Sequence, residues 1–68
     1  MLSARNQFKG TVKSIKLGEV MAEVVMAVGD VELVALISRT AAEKNLKLKI
    51  GDKVTAVIKA TEVMVAKD

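Results

Sequence analysis

The 68-residue chain contains no cysteine, histidine, tryptophan, tyrosine or proline, and a single aromatic residue, Phe8. Without cysteine there is neither a disulfide framework nor a thiolate nucleophile. Without histidine or cysteine, the usual zinc ligand sets and the Ser-His-Asp triad are also excluded. The four glycines stand singly at turns, so no Walker-type or dinucleotide phosphate loop is present. No apolar run approaches the roughly 20 residues of a membrane helix. Met1 to Asn6 shows no apolar signal-peptide core, so a cytoplasmic protein without a membrane partner is expected.

What the chain does have is apolar surface. Hydrophobic residues make up 51% of it, mostly Val, Ala, Leu, Ile and Met. A chain this short buries only about 60% of its unfolded surface. Domains of such size usually add disulfides, a metal, aromatic packing or partner subunits. The first two are impossible here and the third is nearly absent, which leaves partner subunits and predicts a homo-oligomer. The 11 Lys+Arg and 8 Asp+Glu give a net charge of +3. Acidic residues punctuate the basic ones, so no one-sided nucleic-acid stripe is formed.

One domain, residues 1–68, is the sensible count. Phe8, Gly10 and Val12 alternate with Lys9, Thr11 and Lys13, and then the phase shifts, because Ile15 and Leu17 have the parity of the lysines. A bulge near Lys13-Ser14 would return the apolar set to the core. Gly18-Glu19 reads as a turn, and Val20 to Val28 as a strand. Gly29-Asp30 suits a type II′ hairpin leading into the strand Val31 to Ile37. Both strands are apolar on two faces, one for an interior and one for a neighbouring chain. Thr40 and Glu43 have capping-box spacing around a short helix that Asn45 could end in a left-handed conformation. Lys53 to Lys59 forms a fourth strand and Val63-Met64-Val65 a fifth. Three strands, a short helix, then two strands is the order of an all-β, OB-like five-stranded antiparallel barrel.

Chemistry in this chain rests on hydrogen-bond donors. The acids are scattered with no paired carboxylates, so an enzyme is not expected. Ser3, Arg5 and Asn6 precede the first strand, Ser38 and Thr40 lie where a strand gives way to the helix, and Lys59 ends the fourth strand. Arginine supplies a fork, lysine a point charge, and hydroxyls and amides neutral donors. The set suits a small oxyanion if the segments converge. Each residue also has an ordinary reading: a solvated arm for Ser3 and Asn6, a helix cap for Ser38 or Thr40, and a solvated edge for Lys59.

The segment Ser3-Ala4-Arg5-Asn6-Gln7-Phe8-Lys9-Gly10 resembles the opening of the Mop family of molybdate-binding domains, the molbindins. The resemblance continues through Gly18-Glu19-Val20, Ile37-Ser38, Leu48 to Val54, and Val57-Ile58-Lys59-Ala60, and so covers nearly the whole chain. It implies a cytoplasmic protein that stores or buffers molybdate, and often tungstate, without a further cofactor. It further implies a hexamer built as a trimer of dimers, with anions between subunits. On the matching positions it assigns ligand roles to Ser3, Arg5, Asn6, Ser38, Lys59 and Ala60. Gly18, Val20 and Thr40 are candidates for a second class of site. Some related domains carry a hydroxyl where this chain has Ala41 and a proline where it has Thr61.

Molybdate is a tetrahedral dianion with only acceptor oxygens at neutral pH. Its site should be rich in donors and free of carboxylates, with Arg5 and Lys59 offsetting the charge. The competing expectation for an OB-like barrel is binding of single-stranded nucleic acid. That role relies on stacking bases against aromatic side chains, and Phe8 is the one aromatic available.

Overall fold

The structure is a computed structural model that describes residues 4–68. Its organising element is β1, Asn6–Leu17, a 12-residue strand that serves two partners. The first half pairs with β4 (Lys53–Ile58), from Asn6 opposite Ile58 to Thr11 opposite Lys53. The second half pairs with β2 (Met21–Val28), from Thr11 opposite Ala27 to Leu17 opposite Ala22. The register steps over Lys13, between Val12–Met26 and Ser14–Val25, so the expected bulge is present. It rotates Val12 and Ile15 onto the same inner side and leaves Lys13 outward, in an ion pair with Glu32.

β2 and β3 (Val31–Ser38) form a hairpin of eight facing pairs around Gly29-Asp30. Gly29 has φ +57°, while Asp30 keeps a negative φ, in line with the type II′ expectation. All strands are antiparallel, in the order β3-β2-β1-β4. Alternation then sets the core: Val12, Val24, Met26 and Ala56 are buried, flanked by Ile15, Leu33, Ala35, Ile37, Leu48 and Val54. Gly10 lies on this inner side, where a Cβ would fall 2.5 Å from the Ala27 carbonyl oxygen and 2.8 Å from Val28 Cγ2. Both contacts belong to a paired strand that cannot easily retreat. Gly10→Ala is therefore expected to cost about 1–3 kcal/mol by overpacking, read from denaturant unfolding. Unchanged stability would show that β2 gives way freely.

After β3 the chain makes one wide helical turn, Ala41–Asn45, closed by the Leu46 N–H on the Ala41 carbonyl at 2.8 Å. Two local expectations are corrected here. Thr40 is helical and makes no side-chain cap. Ser38 Oγ accepts the Ala41 N–H at 3.0 Å instead, and Glu43 pairs with Arg39 rather than with the Thr40 backbone. The left-handed residue is Lys47, φ +50°, not Asn45. The wide turn carries helical geometry on to Leu46, which delays the reversal and lets the Leu48 N–H reach the Ala42 carbonyl at 2.9 Å. The next turn hangs on β1, with Val12 N–H on the Asp52 carbonyl at 2.9 Å and Gly51 N–H on the Val12 carbonyl at 2.8 Å.

The predicted fifth strand is not formed among the described residues. A 3-10 turn, Ala60–Glu62, follows β4, and Val63 continues extended without a strand partner. Met64 and Val65 are 94% and 93% exposed. Among the described residues the sheet has four strands, and between β3 and β4 an apolar groove of about 670 Å³ remains open. Phe8 is also more exposed than its inward parity suggests, at 42%, because that end of β1 is flanked by β4 alone. The second faces of β2 and β3 leave Met21, Val34 and Leu36 exposed.

Candidate anion-binding site

The donors fall into two groups at the two ends of β1. At its start, Asn6 is paired with Ile58, the last pair of the ladder, and Arg5 and Lys59 are the next residues of the two chain segments beyond it. Antiparallel pairing thus brings two segments more than fifty positions apart in sequence to one edge. Gln7 fixes the arm, donating from Nε2 to the Ala4 carbonyl at 2.7 Å. Lys59 is extended (φ −65°, ψ 139°), and its carbonyl accepts the Glu62 N–H at 2.9 Å, so Ala60 begins a tight turn. Neither Arg5 nor Lys59 belongs to an ion pair among the described residues. Asn6 is half-buried, while Arg5, Lys59 and Ala60 are exposed. Ser3 lies outside the described residues. One carboxylate, Glu62, lines the β3–β4 groove together with Lys59.

At the other end of β1, the loop after Leu17 meets the end of β3. Met21 is paired with Ser38, Gly18 N–H donates to the Met21 carbonyl at 2.8 Å, and Arg39 N–H donates to the Val20 carbonyl at 2.7 Å. Gly18, Val20, Ser38 and Thr40 are therefore neighbours, all exposed. The Ser38 hydroxyl accepts from Ala41, so its own O–H remains a donor. Sequence reading overlooked Arg39 in this cluster. Its Nη1 donates to the Gly18 carbonyl at 3.1 Å and its Nε to Glu43 Oε1 at 2.5 Å. The available signal was the four-residue spacing of Arg39 and Glu43 on a helical turn.

Among the described residues no hydrogen bond or strand pair joins the two groups within one chain. Both groups are open to water, where a dianion keeps most of its hydration. Among the described residues no three acidic side chains gather as a metal-ligating cluster.

The TOBE domain model matches residues 2–65. The chain belongs to the TOBE family, among its Mop proteins. Molybdenum-pterin-binding protein 3 of Clostridium pasteurianum is 44% identical to this Mop domain over 64 residues, 94% of each chain. A molybdate-binding protein of Sporomusa ovata has the same fold, with 48% identity, a TM-score of 0.93 and 98% of both chains covered. ModG, a cytoplasmic molybdate-binding protein solved with molybdate bound, is 45% identical with a TM-score of 0.82. There the match covers 87% of this Mop domain and 42% of ModG. These relatives are named for binding, not for a reaction.

Proposed function

We propose that this Mop domain binds molybdate without catalysing a reaction, and that tungstate, of the same charge and shape, occupies the same site. Residues 1–68 form one binding domain, and it serves as a cytoplasmic store of the anion. The ligands are Ser3, Arg5, Asn6, Ser38, Lys59 and Ala60, with Gly18, Val20 and Thr40 contributing to a second class of site.

The observation that carries this reading is the pairing of β1 with β4. It sets an arginine and a lysine, neither in an ion pair among the described residues, at one edge beside a half-buried asparagine. Two positive charges offset the dianion, and directional donors hold its oxygens. Exposure then requires an assembly. Both groups are open to water and lie at opposite ends of β1, so enclosure comes from a neighbouring copy. The open groove, the apolar outer side of β3 and the exposed Val63 to Val65 stretch are surfaces a homo-oligomer covers. A hexamer of three dimers is the proposed form.

Equilibrium dialysis against molybdate, with sulfate and phosphate controls, tests the binding, and native mass spectrometry reads subunit and anion number together. Retained molybdate in a multimer is the expected result. A monomer with no uptake beyond the sulfate control would sink the proposal.

A further inference from the structure

Ser38 presents a difficulty for an anion site. Glu43 lies on the helical turn that follows it, and a bare carboxylate there would repel a dianion held at the Ser38 hydroxyl. The chain has two arginines, and they stand in opposite circumstances. Arg5 is in no ion pair among the described residues, whereas Arg39 is committed to protein partners.

We propose that Arg39 is a positioning residue of the oxyanion site, which clamps the Ser38 strand end to the Gly18–Val20 loop and neutralises Glu43. The inference rests on the reading that Ser38 donates to the anion. Three contacts support it. The Arg39 backbone N–H holds the Val20 carbonyl at 2.7 Å, Nη1 holds the Gly18 carbonyl at 3.1 Å, and Nε holds Glu43 Oε1 at 2.5 Å. Ser38 sits at the centre of this clamp, paired with Met21 on one side and bonded to the Ala41 N–H at 3.0 Å on the other. The side chains of Arg39 and Glu43 are 44% and 37% exposed. A pair that open to solvent adds little to folding stability. Its effect is local, on the charge an incoming anion meets.

This separates a charge role from a merely structural one. Arg39→Ala exposes the Glu43 carboxylate and loosens the Gly18 loop, and is expected to weaken molybdate binding about tenfold. In Arg39→Ala/Glu43→Gln the repulsion is gone while the clamp is still missing. Affinity should recover most of the loss, while the unfolding temperature stays at that of the single variant. Arg39→Lys keeps the charge without the fork and should bind within about threefold of the parent chain. Isothermal titration with sodium molybdate, paired with thermal unfolding, reads both quantities. If Arg39→Ala does not fold, Arg39→Gln and its Glu43→Gln double variant replace it. Parent-like affinity in the single variant would overturn the role of Arg39, and a double variant as weak as the single would overturn its neutralisation of Glu43. Absence of molybdate binding by the parent chain would instead overturn the proposed function.

Discussion

Arg5→Ala is expected to weaken molybdate binding by at least about tenfold, and Lys59→Ala by a similar factor, with neither unfolding the domain. A hydrogen bond to a charged group contributes about 1.5–3 kcal/mol, which is roughly a 10- to 150-fold change in affinity. Both side chains are exposed and belong to no ion pair among the described residues, so truncation leaves no unsatisfied partner in the protein. The double variant faces a dianion with neutral donors alone and should show no uptake at micromolar protein. Arg5→Lys separates charge from shape: it keeps the cation but loses the fork that meets two oxygens at once, and should fall between the parent and Arg5→Ala. Isothermal titration measures the four variants and the parent. Parent-like affinity in both alanine variants would place the anion elsewhere on the molecule.

The backbone of this domain was largely legible in the sequence because binary patterning leaves a strong trace in strands. The parity change between Val12 and Ile15 predicted a bulge, and the register slips at Lys13. Gly29-Asp30 predicted a tight hairpin, and Gly29 takes the required positive φ. Errors arose where one residue's propensity competes with longer-range contacts. Asn45 has the chemistry for a left-handed stop, but the wide turn runs on to Leu46 and the Leu48–Ala42 hydrogen bond moves the reversal to Lys47. Thr40 has the spacing of a cap, yet it already has helical dihedrals, and Ser38, two residues earlier, takes the Ala41 N–H instead. Val63 to Val65 has strand composition, but a strand needs an edge to pair with, and no such pairing is made among the described residues. Composition cannot say whether the missing edge belongs to the same copy.

The site was less legible for a related reason. Arg5 and Lys59 are ordinary surface cations by pattern, and their proximity depends on the β1–β4 register, a long-range property. Resemblance to the Mop pattern singled them out, and residue chemistry then explained why such a pair suits an oxyanion. Arg39 and Gln7 act on the backbone around the donors. The pattern marks donors, not the contacts that hold donors in place.

Leu36→Lys should dissolve the assembly and abolish anion binding together. Leu36 is 67% exposed in one chain and Val34, on the same side of β3, is 62% exposed. Alternation along β3 turns both away from Leu33, Ala35 and Ile37, which pack on the core, so they contribute nothing to the fold of a lone subunit. Covering a leucine of this kind contributes about 1.5–3 kcal/mol per copy. Burying an ammonium in its place costs several kcal/mol of desolvation, repeated at each symmetry-related contact. Lysine is the informative substitution because residue 36 faces Glu23 across the β2–β3 pair, and an opposite charge there supports the isolated hairpin. The variant should therefore be a folded monomer rather than an unfolded chain. A ligand that binds only the native oligomer at a thousand times its dissociation constant stabilises it by about 4.1 kcal/mol. The parent should accordingly unfold at a higher temperature with molybdate present, whereas the Leu36→Lys monomer, holding half of each donor set, should show no such shift. Sedimentation and thermal unfolding with and without molybdate read the two effects separately. A monomer that still gains stability from molybdate would confine the site to one chain, and a multimer that persists would place the interface on another face.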